Sequence, residues 1–404
     1  MQLTTAASRG PKPCPSSGRD AFWTMLRRLV TPAVGMTLAA IAALLWAPMA
    51  VADEAPDADA DGVSKLRLLP VPIFITEPSI GQGLGVSLIL IHPRSQGRTA
   101  LAQVEMPDTE IEVEGGSRRP PDVTAVFGAV TDERTWFAGV AHSASWRADR
   151  VRFGAGLAWM NVNSTTYIRD RPVGFTSRGA VLLQDVRFRV SSSRLFIGGK
   201  ISAYRVDTGL ELDLGEDDPI QVGLGDATDV GLAAQGVFDG RDTTFTPSRG
   251  QLVRVELWRH DTSFGGDFDY WKTKVKALSF HPLTAGLVLG VRFEGALAGG
   301  DPPFWSYPWI TLRGVPAMRY QDERAAAVEA ELRWNVLPRW AVVGFLGCGA
   351  TDGDLVQFES QDPLAAGGIG GRYLFADDLG LWVGVDLARG PEEYVGYIQV
   401  GHAW

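Results

Sequence analysis

Past residue 65 the chain is written in period two. Val253, Val255 and Leu257 alternate with Arg254 and Glu256, and Trp271 and Val275 alternate with Lys272, Lys274 and Lys276. Val328, Ala330, Leu332 and Trp334 alternate with Glu329, Glu331, Arg333 and Asn335. Val186, Phe188 and Val190 do so with Asp185, Arg187 and Arg189. Successive side chains of a strand point to opposite faces, so each segment predicts a strand with one apolar and one charged face. No run of about eighteen apolar residues and no sustained 3.6-residue stripe follows residue 65, so the pattern predicts no helical span there. The spacing predicts fifteen strands, near 82–92, 122–131, 134–146, 150–161, 178–190, 194–205, 228–238, 250–260, 268–280, 284–296, 324–335, 339–350, 365–375, 379–388 and 394–404.

A soluble sandwich and a membrane barrel both alternate in this way, the one with its apolar face in a core, the other with it in lipid. Aromatic residues near strand ends (Trp136, Trp146, Trp159, Trp258, Trp271, Trp334, Trp340, Trp382 and Trp404) suit the two interfacial girdles of a barrel. Connections toward the C-terminus alternate short (281–283, 336–339, 376–378) and long (297–323, 351–364), and tight turns belong on the periplasmic side. Because a single-chain bacterial barrel has an even strand number, one more strand is expected before the periplasmic turn at 239–249. Leu210, Leu212 and Leu214, alternating with Glu211 and Asp213, are the best candidate and bring the count to sixteen.

The first 52 residues read as an address. A basic start at Arg27 and Arg28, an apolar run through Trp46 and Ala50-Val51-Ala52 form the parts of a secretory signal in order, with cleavage expected after Ala52 and residues 1–24 read either as an extended n-region or as lying ahead of a true start at Met25. The alternative is a membrane-anchor helix over residues 29–52. Residues 53–65 are expected to be a flexible acidic tail, and 66–404 the barrel. The leader carries five of the 38 Lys and Arg and one of the 47 acids, so the remainder holds 33 against 46, a net charge of −13. The lack of a basic run argues against a nucleic-acid groove. Two Cys, one of them in the leader, exclude a disulfide framework.

Several segments resemble the BamA/TamA superfamily, the bacterial surface-antigen family of outer-membrane barrels. Phe238-Asp-Gly-Arg-Asp-Thr-Thr-Phe-Thr-Pro-Ser-Arg-Gly250 is similar to the family's periplasmic turn, with Asp239, Arg241, Asp242, Pro247 and Gly250 at the motif positions. Leu312-Arg-Gly-Val-Pro316, in the longest loop, resembles the family's Val-Arg-Gly-aromatic motif. The strand pair Glu329–Trp334 and Trp340–Gly349, the segment Glu77–Gly85 and the final Tyr397–Trp404 resemble the family as well. The resemblance implies a loop folded into the lumen, with Arg313 and Gly314 locked there and Arg313 paired to inward acids on the next two strands, of which Glu331 matches the first. Gly347 stands where the family has the second acid, and Val315 where it has the aromatic. The thirteen or so residues between Asp53 and Leu66 leave no room for the family's periplasmic domains.

No Ser/His/acid set and no metal-ligand spacing can be assembled from the scattered His92, His142, His260, His281 and His402, so no catalytic role, metal or cofactor is expected. By alternation Ile398, Val400, His402 and Trp404 face the bilayer and form a C-terminal assembly signal. The seam is expected between 82–92 and 394–404, with Gly81, Gly83 and Gly85 on one side and Gly396 and Gly401 on the other. The implied role is outer-membrane protein or lipid assembly, or polypeptide translocation, in a Gram-negative outer membrane. The implied partners are outer-membrane lipids, the barrel assembly machinery, and a periplasmic scaffold or exported polypeptide. A passive channel constricted by the loop at 297–323 is the alternative.

Overall fold

The computed structural model describes residues 67–92, 122–168, 171–212, 220–243, 246–355, 358, 361–376 and 380–404. The leader, Met25 and the acidic tail lie outside them. Sixteen strands pair antiparallel, each with its chain neighbour: β1 Arg67–Glu77, β2 Gly81–Ile91, β3 Val123–Thr131, β4 Trp136–Trp146, β5 Val151–Ile168, β6 Arg171–Arg189, β7 Leu195–Leu212 and β8 Ile220–Asp239 form the first half. The second half is β9 Gly250–His260, β10 Tyr270–Thr284, β11 Leu287–Gly300, β12 Arg324–Leu337, β13 Trp340–Asp352, β14 Leu364–Ala376, β15 Leu381–Arg389 and β16 Tyr394–Val400. The sheet curls into a nearly closed barrel, and both of its terminal strands begin or finish at one end, called here the terminal end.

The alternation sorts as read from the sequence. Val255, Leu257, Trp271, Leu332, Trp334 and Phe188 are exposed on the outer face, whereas Glu256, Lys272, Glu329 and Arg333 are buried within. Exposed indoles make two belts. Trp146, Trp334 and Trp340 sit at the terminal end, and Trp136, Trp159 and Trp271 toward the distal end. Trp258 departs from the girdle: it lies on the inner face and donates to Glu256 at 2.9 Å.

The sixteenth strand is not where the sequence placed it. Leu210 and Leu212 belong to a distal extension of β7, with Leu210 opposite Phe175 of β6 and Val222 of β8. The missing strand is β1, hidden because Pro70 and Pro72 interrupt its donors. Strands β5 to β8 run 18 to 20 residues, well beyond the roughly 9–11 that cross a bilayer. Their distal parts carry polar residues on both faces, such as Asn161, Asn163, Thr165 and Thr166, so the two-residue signal fades there. Tight turns occur at both ends: 147–150, 190–194, 285–286 and 338–339 at the terminal end, and 390–393 at the distal end. In the first half, the turns at 78–80 and 132–135 are also at the distal end.

The 301–323 connection between β11 and β12 folds into the lumen. Ile310, Leu312 and Val315 pack with Ala327, Leu364 and Ala366 and with the half-buried Tyr320. These loop residues are nearly water-free, so their apolar surface supplies the main drive for insertion. Val315 thus fills the core in place of an aromatic ring.

Candidate functional site

Arg313 sits at the centre of the inserted loop. Its Nε and Nη2 donate to Glu329 Oε1 at 3.0 and 2.6 Å, and its Nη1 donates to Asp386 Oδ2 at 2.9 Å. The guanidinium lies 3.5 Å over the Phe345 ring. Glu331 Oε2 comes within 2.8 Å of Nη1 but off the line of a hydrogen bond. The structure therefore brings Arg313 and Glu331 together, as expected, yet gives the arginine's hydrogen bonds to Glu329, one inward position earlier on β12, and to Asp386 on β15. Arg372 of β14 also pairs with Asp386, through Nη2 at 3.0 Å. A side chain at Gly347 would meet Leu312 Cδ2 at 2.7 Å and the Val328 carbonyl at 2.8 Å, so the loop leaves no space for an acid on β13. Asp386 supplies that charge from two strands away. Glu329 and Asp386 are 1% and 0% exposed, which makes an ionised pair tolerable only with matched donors.

The same loop reaches both terminal strands. Gly314 N–H donates to the Tyr397 hydroxyl of β16 at 2.9 Å, and Ala317 N–H donates to Glu77 Oε1 of β1 at 2.8 Å. Arg319 pairs with Glu392 in the β15–β16 turn at 2.6 Å and covers the Tyr167 ring of β5 at 4.3 Å. A Cβ on Gly390 would stand 1.8 Å from the Gly314 carbonyl, so the loop backbone passes directly against that turn.

Among the described residues every neighbouring pair of strands from β1 to β16 forms a ladder, and β1 with β16 forms none. The reason is in the sequence of β1. Its ladder with β2 is unbroken through Pro70↔Leu88, Val71↔Ser87, Pro72↔Val86 and Ile73↔Gly85. A strand's N–H groups point alternately to its two neighbours, so an unbroken ladder requires the odd-numbered residues to donate to β2. Pro70 and Pro72 share the opposite parity, and the donors they lack would have faced β16. The seam is thus between β1 and β16. Gly81, Gly83 and Gly85 lie on β2, away from it, which corrects their placement at the seam, whereas Gly396 is on β16.

The C-terminus also departs from the expected row. Ile398 faces outward, and Val400 ends β16. Gly401 then adopts φ +85°, a left-handed conformation that turns the last residues inward. Trp404 Nε1 donates to Glu329 Oε1 at 2.6 Å, and its ring packs with Phe280 beside Phe196, Val237, Leu252 and Leu278. His402 approaches Arg241 Nη1 at 3.4 Å and the Phe280 ring. His402 and Trp404 therefore do not continue the lipid-facing row.

The turn motif meets this tail. Arg241 donates to Asp239 through Nε at 2.9 Å and Nη2 at 3.1 Å, and Asp242 accepts from Thr243 and Ser248 N–H at 2.9 and 3.1 Å. Pro247 is fully buried, Arg333 of β12 donates to its carbonyl at 3.1 Å, and Gly250 opens β9. Turn and tail thus meet at the terminal end of the lumen. Among the described residues no group of three His, Cys, Asp or Glu stands close enough to hold a metal ion.

No family model matches the sequence, and no curated protein matches it. Solved structures match the fold. BamA from Haemophilus ducreyi lacking POTRA domains 1–3 is 10% identical with a TM-score of 0.53, covering 83% of this chain and 70% of that one. CdiB from Acinetobacter baumannii (12%, TM-score 0.53) covers 83% of this chain and 59% of that one, and CdiB from Escherichia coli (13%, TM-score 0.57) covers 82% and 61%. The chain thus spans about six tenths of the two CdiB chains, and what it shares with all three is the fold of a Gram-negative outer-membrane barrel with sixteen strands.

Proposed function

We propose that the chain is a BamA/TamA-type outer-membrane barrel that works through its β1–β16 seam, opening it sideways during outer-membrane protein or lipid assembly, or polypeptide passage. The single observation that carries this reading is the ladder missing among the described residues, at a joint whose β1 edge lacks two donors. An unpaired strand edge is costly in hydrocarbon and is a ready template for an incoming strand. The loop that straps Glu77 and Tyr397 from inside supports the same reading, because it can hold the joint while it is idle. Outer-membrane lipids and an exported or nascent polypeptide are the partners that such a joint fits. Ile398, with Val400 and the folded-in Trp404, would serve as the chain's own assembly signal.

The test is to lock the seam. One cysteine within β1 and one within β16, in a Cys348→Ser background, are oxidised in the folded barrel reconstituted in liposomes. The activity read is acceleration of the insertion of a urea-unfolded eight-stranded barrel. The reduced protein is expected to accelerate insertion and the oxidised one to match empty liposomes. Equal acceleration in both states would overturn the seam mechanism. No acceleration in either, with steady ion conductance in planar bilayers, would favour a passive channel.

A further inference from the structure

Away from the seam, the inner wall of β4 to β10 lines a half-open cavity of about 590 Å³, joined through shared lining residues to a second of about 340 Å³ beside β11. This is the size range of small-molecule sites. The inserted loop roofs it. Tyr270 hydroxyl lies 3.1 Å from Ser306 Oγ, Lys272 donates to the Ser306 carbonyl, and Trp305 and Trp309 face the space with Trp258.

The charges in this chamber do not cancel. Lys200 pairs with Glu256 at 2.8 Å, and Lys276 with Glu294 at 2.9 Å. Asp185 is matched by Arg187 at 3.3 Å. Asp229 accepts from the Tyr270 hydroxyl at 2.7 Å and contacts His260 Nδ1 at 2.6 Å. Left over are Arg254, Lys272 and Lys274 against that one carboxylate. Lys272 is 8% exposed and has only a neutral carbonyl as partner. Arg254 Nε is buried with no hydrogen-bond partner, and among the described residues Lys274 has no ion pair. A buried donor left without a partner is costly, and a ligand that supplies one recovers that cost. Inward-facing cations on adjacent positions of β9 and β10 also repel one another, so Arg254, Lys272 and Lys274 together offer an anion more positive charge than Asp229 cancels.

We infer that this chamber binds a phosphate monoester, the dianion held by Arg254, Lys272 and Lys274 and its organic part stacked among Trp258, Trp305 and Trp309. A dianion matches the surplus, three cations match its oxygens, and indole faces accept a flat apolar group. The site is independent of how the seam is used.

The test uses the full folded barrel in detergent, with phenyl phosphate as probe and phenol and glycerol 3-phosphate as comparisons, followed by calorimetry and by quenching of tryptophan emission. Phenyl phosphate is expected to bind saturably and phenol not at all. Lys274→Ala and Arg254→Ala should each weaken binding by roughly tenfold or more, the loss of one charge-assisted hydrogen bond. Arg259→Ala, on the outer face, should change nothing. Heat-modifiable mobility confirms that each variant folds, and Lys274→Ala removes no contact that holds the barrel. Saturation absent at millimolar probe, equal binding of phenol, or affinity unmoved by both chamber variants in folded protein would overturn the site. Tighter binding of glycerol 3-phosphate than of phenyl phosphate would overturn the stacked soluble ester in favour of a lipid headgroup.

Discussion

The two sides of the lumen handle buried charge in opposite ways. On the β12 to β16 side Arg313, Arg372, Glu329 and Asp386 are packed among loop residues, and each guanidinium has a carboxylate. On the β6 to β10 side Arg254, Lys272 and Lys274 line open space without one. The filled side is built to stay shut and to hold a loop in place. The open side keeps charge unspent, which a resting structure tolerates only where water or a ligand reaches it.

The strongest way to break this contrast is to remove Arg313. Arg313→Ala would leave Glu329 and Asp386 buried and short of a counter-charge, and losing one partner of a buried pair costs about 3–5 kcal/mol. A lowered midpoint in urea unfolding and new protease sensitivity in 301–323 are the expected results. Arg313→Lys should recover only part, since one ammonium cannot reproduce a fork that serves two carboxylates.

Gly390→Ala comes next. Its methyl would collide with the Gly314 carbonyl, so the loop must lift from the β15–β16 turn, and overpacking of this kind costs about 1–3 kcal/mol. Faster exchange of the Gly314 and Ala317 amides would report it.

A smaller effect is expected at Asp149, in the β4–β5 turn. Burial alone would raise its pKa, but hydrogen bonds from Arg152 and Ser145, with the charge of Arg189 nearby, hold it below the ordinary aspartate range. A lowered folded pKa stabilises above the unfolded value of about 4, and the contribution fades as pH falls through the folded value. Wild type should therefore lose stability on acidification below about pH 4 more steeply than Asp149→Asn, compared by unfolding midpoints. On the open side, Lys274→Met should leave the protein as stable as wild type or slightly more so by the same unfolding midpoints, because no partner is lost and an unpaired cation is removed.

Legibility in the sequence followed the solvent. Where lipid lies on one side and the lumen on the other, as in β9, β10 and β12, the two-residue period places every inward charge. Where both faces are wet, in the distal parts of β5 to β8, it vanishes. It fails in β1 for a different reason, since two prolines read as a loop until their shared parity places both missing donors on one edge. Arg313 was readable from its motif. Its partners were less so: Glu329 and Glu331 share one face and only packing chooses between them, and Asp386 comes from 73 residues away. Trp404 was misplaced because alternation was carried through Gly401, where the backbone turns. Lys272, Lys274 and Lys276 were visible as a row, but that Lys276 finds Glu294 while Lys272 and Lys274 find no carboxylate among the described residues depends on strands that pairing alone brings together.

The proposed seam mechanism requires the β1–β16 joint to be the barrel's weakest and Pro70 and Pro72 to keep it so. Amide hydrogen exchange in lipid bilayers measures this directly. Tyr394–Val400 should exchange at least tenfold faster than the β14–β15 ladder, a gap of about 1.4 kcal/mol, and substitution of both prolines by valine should close much of that gap. Equal protection of β16 and β14 in wild type, or no change on restoring the two donors, would contradict it.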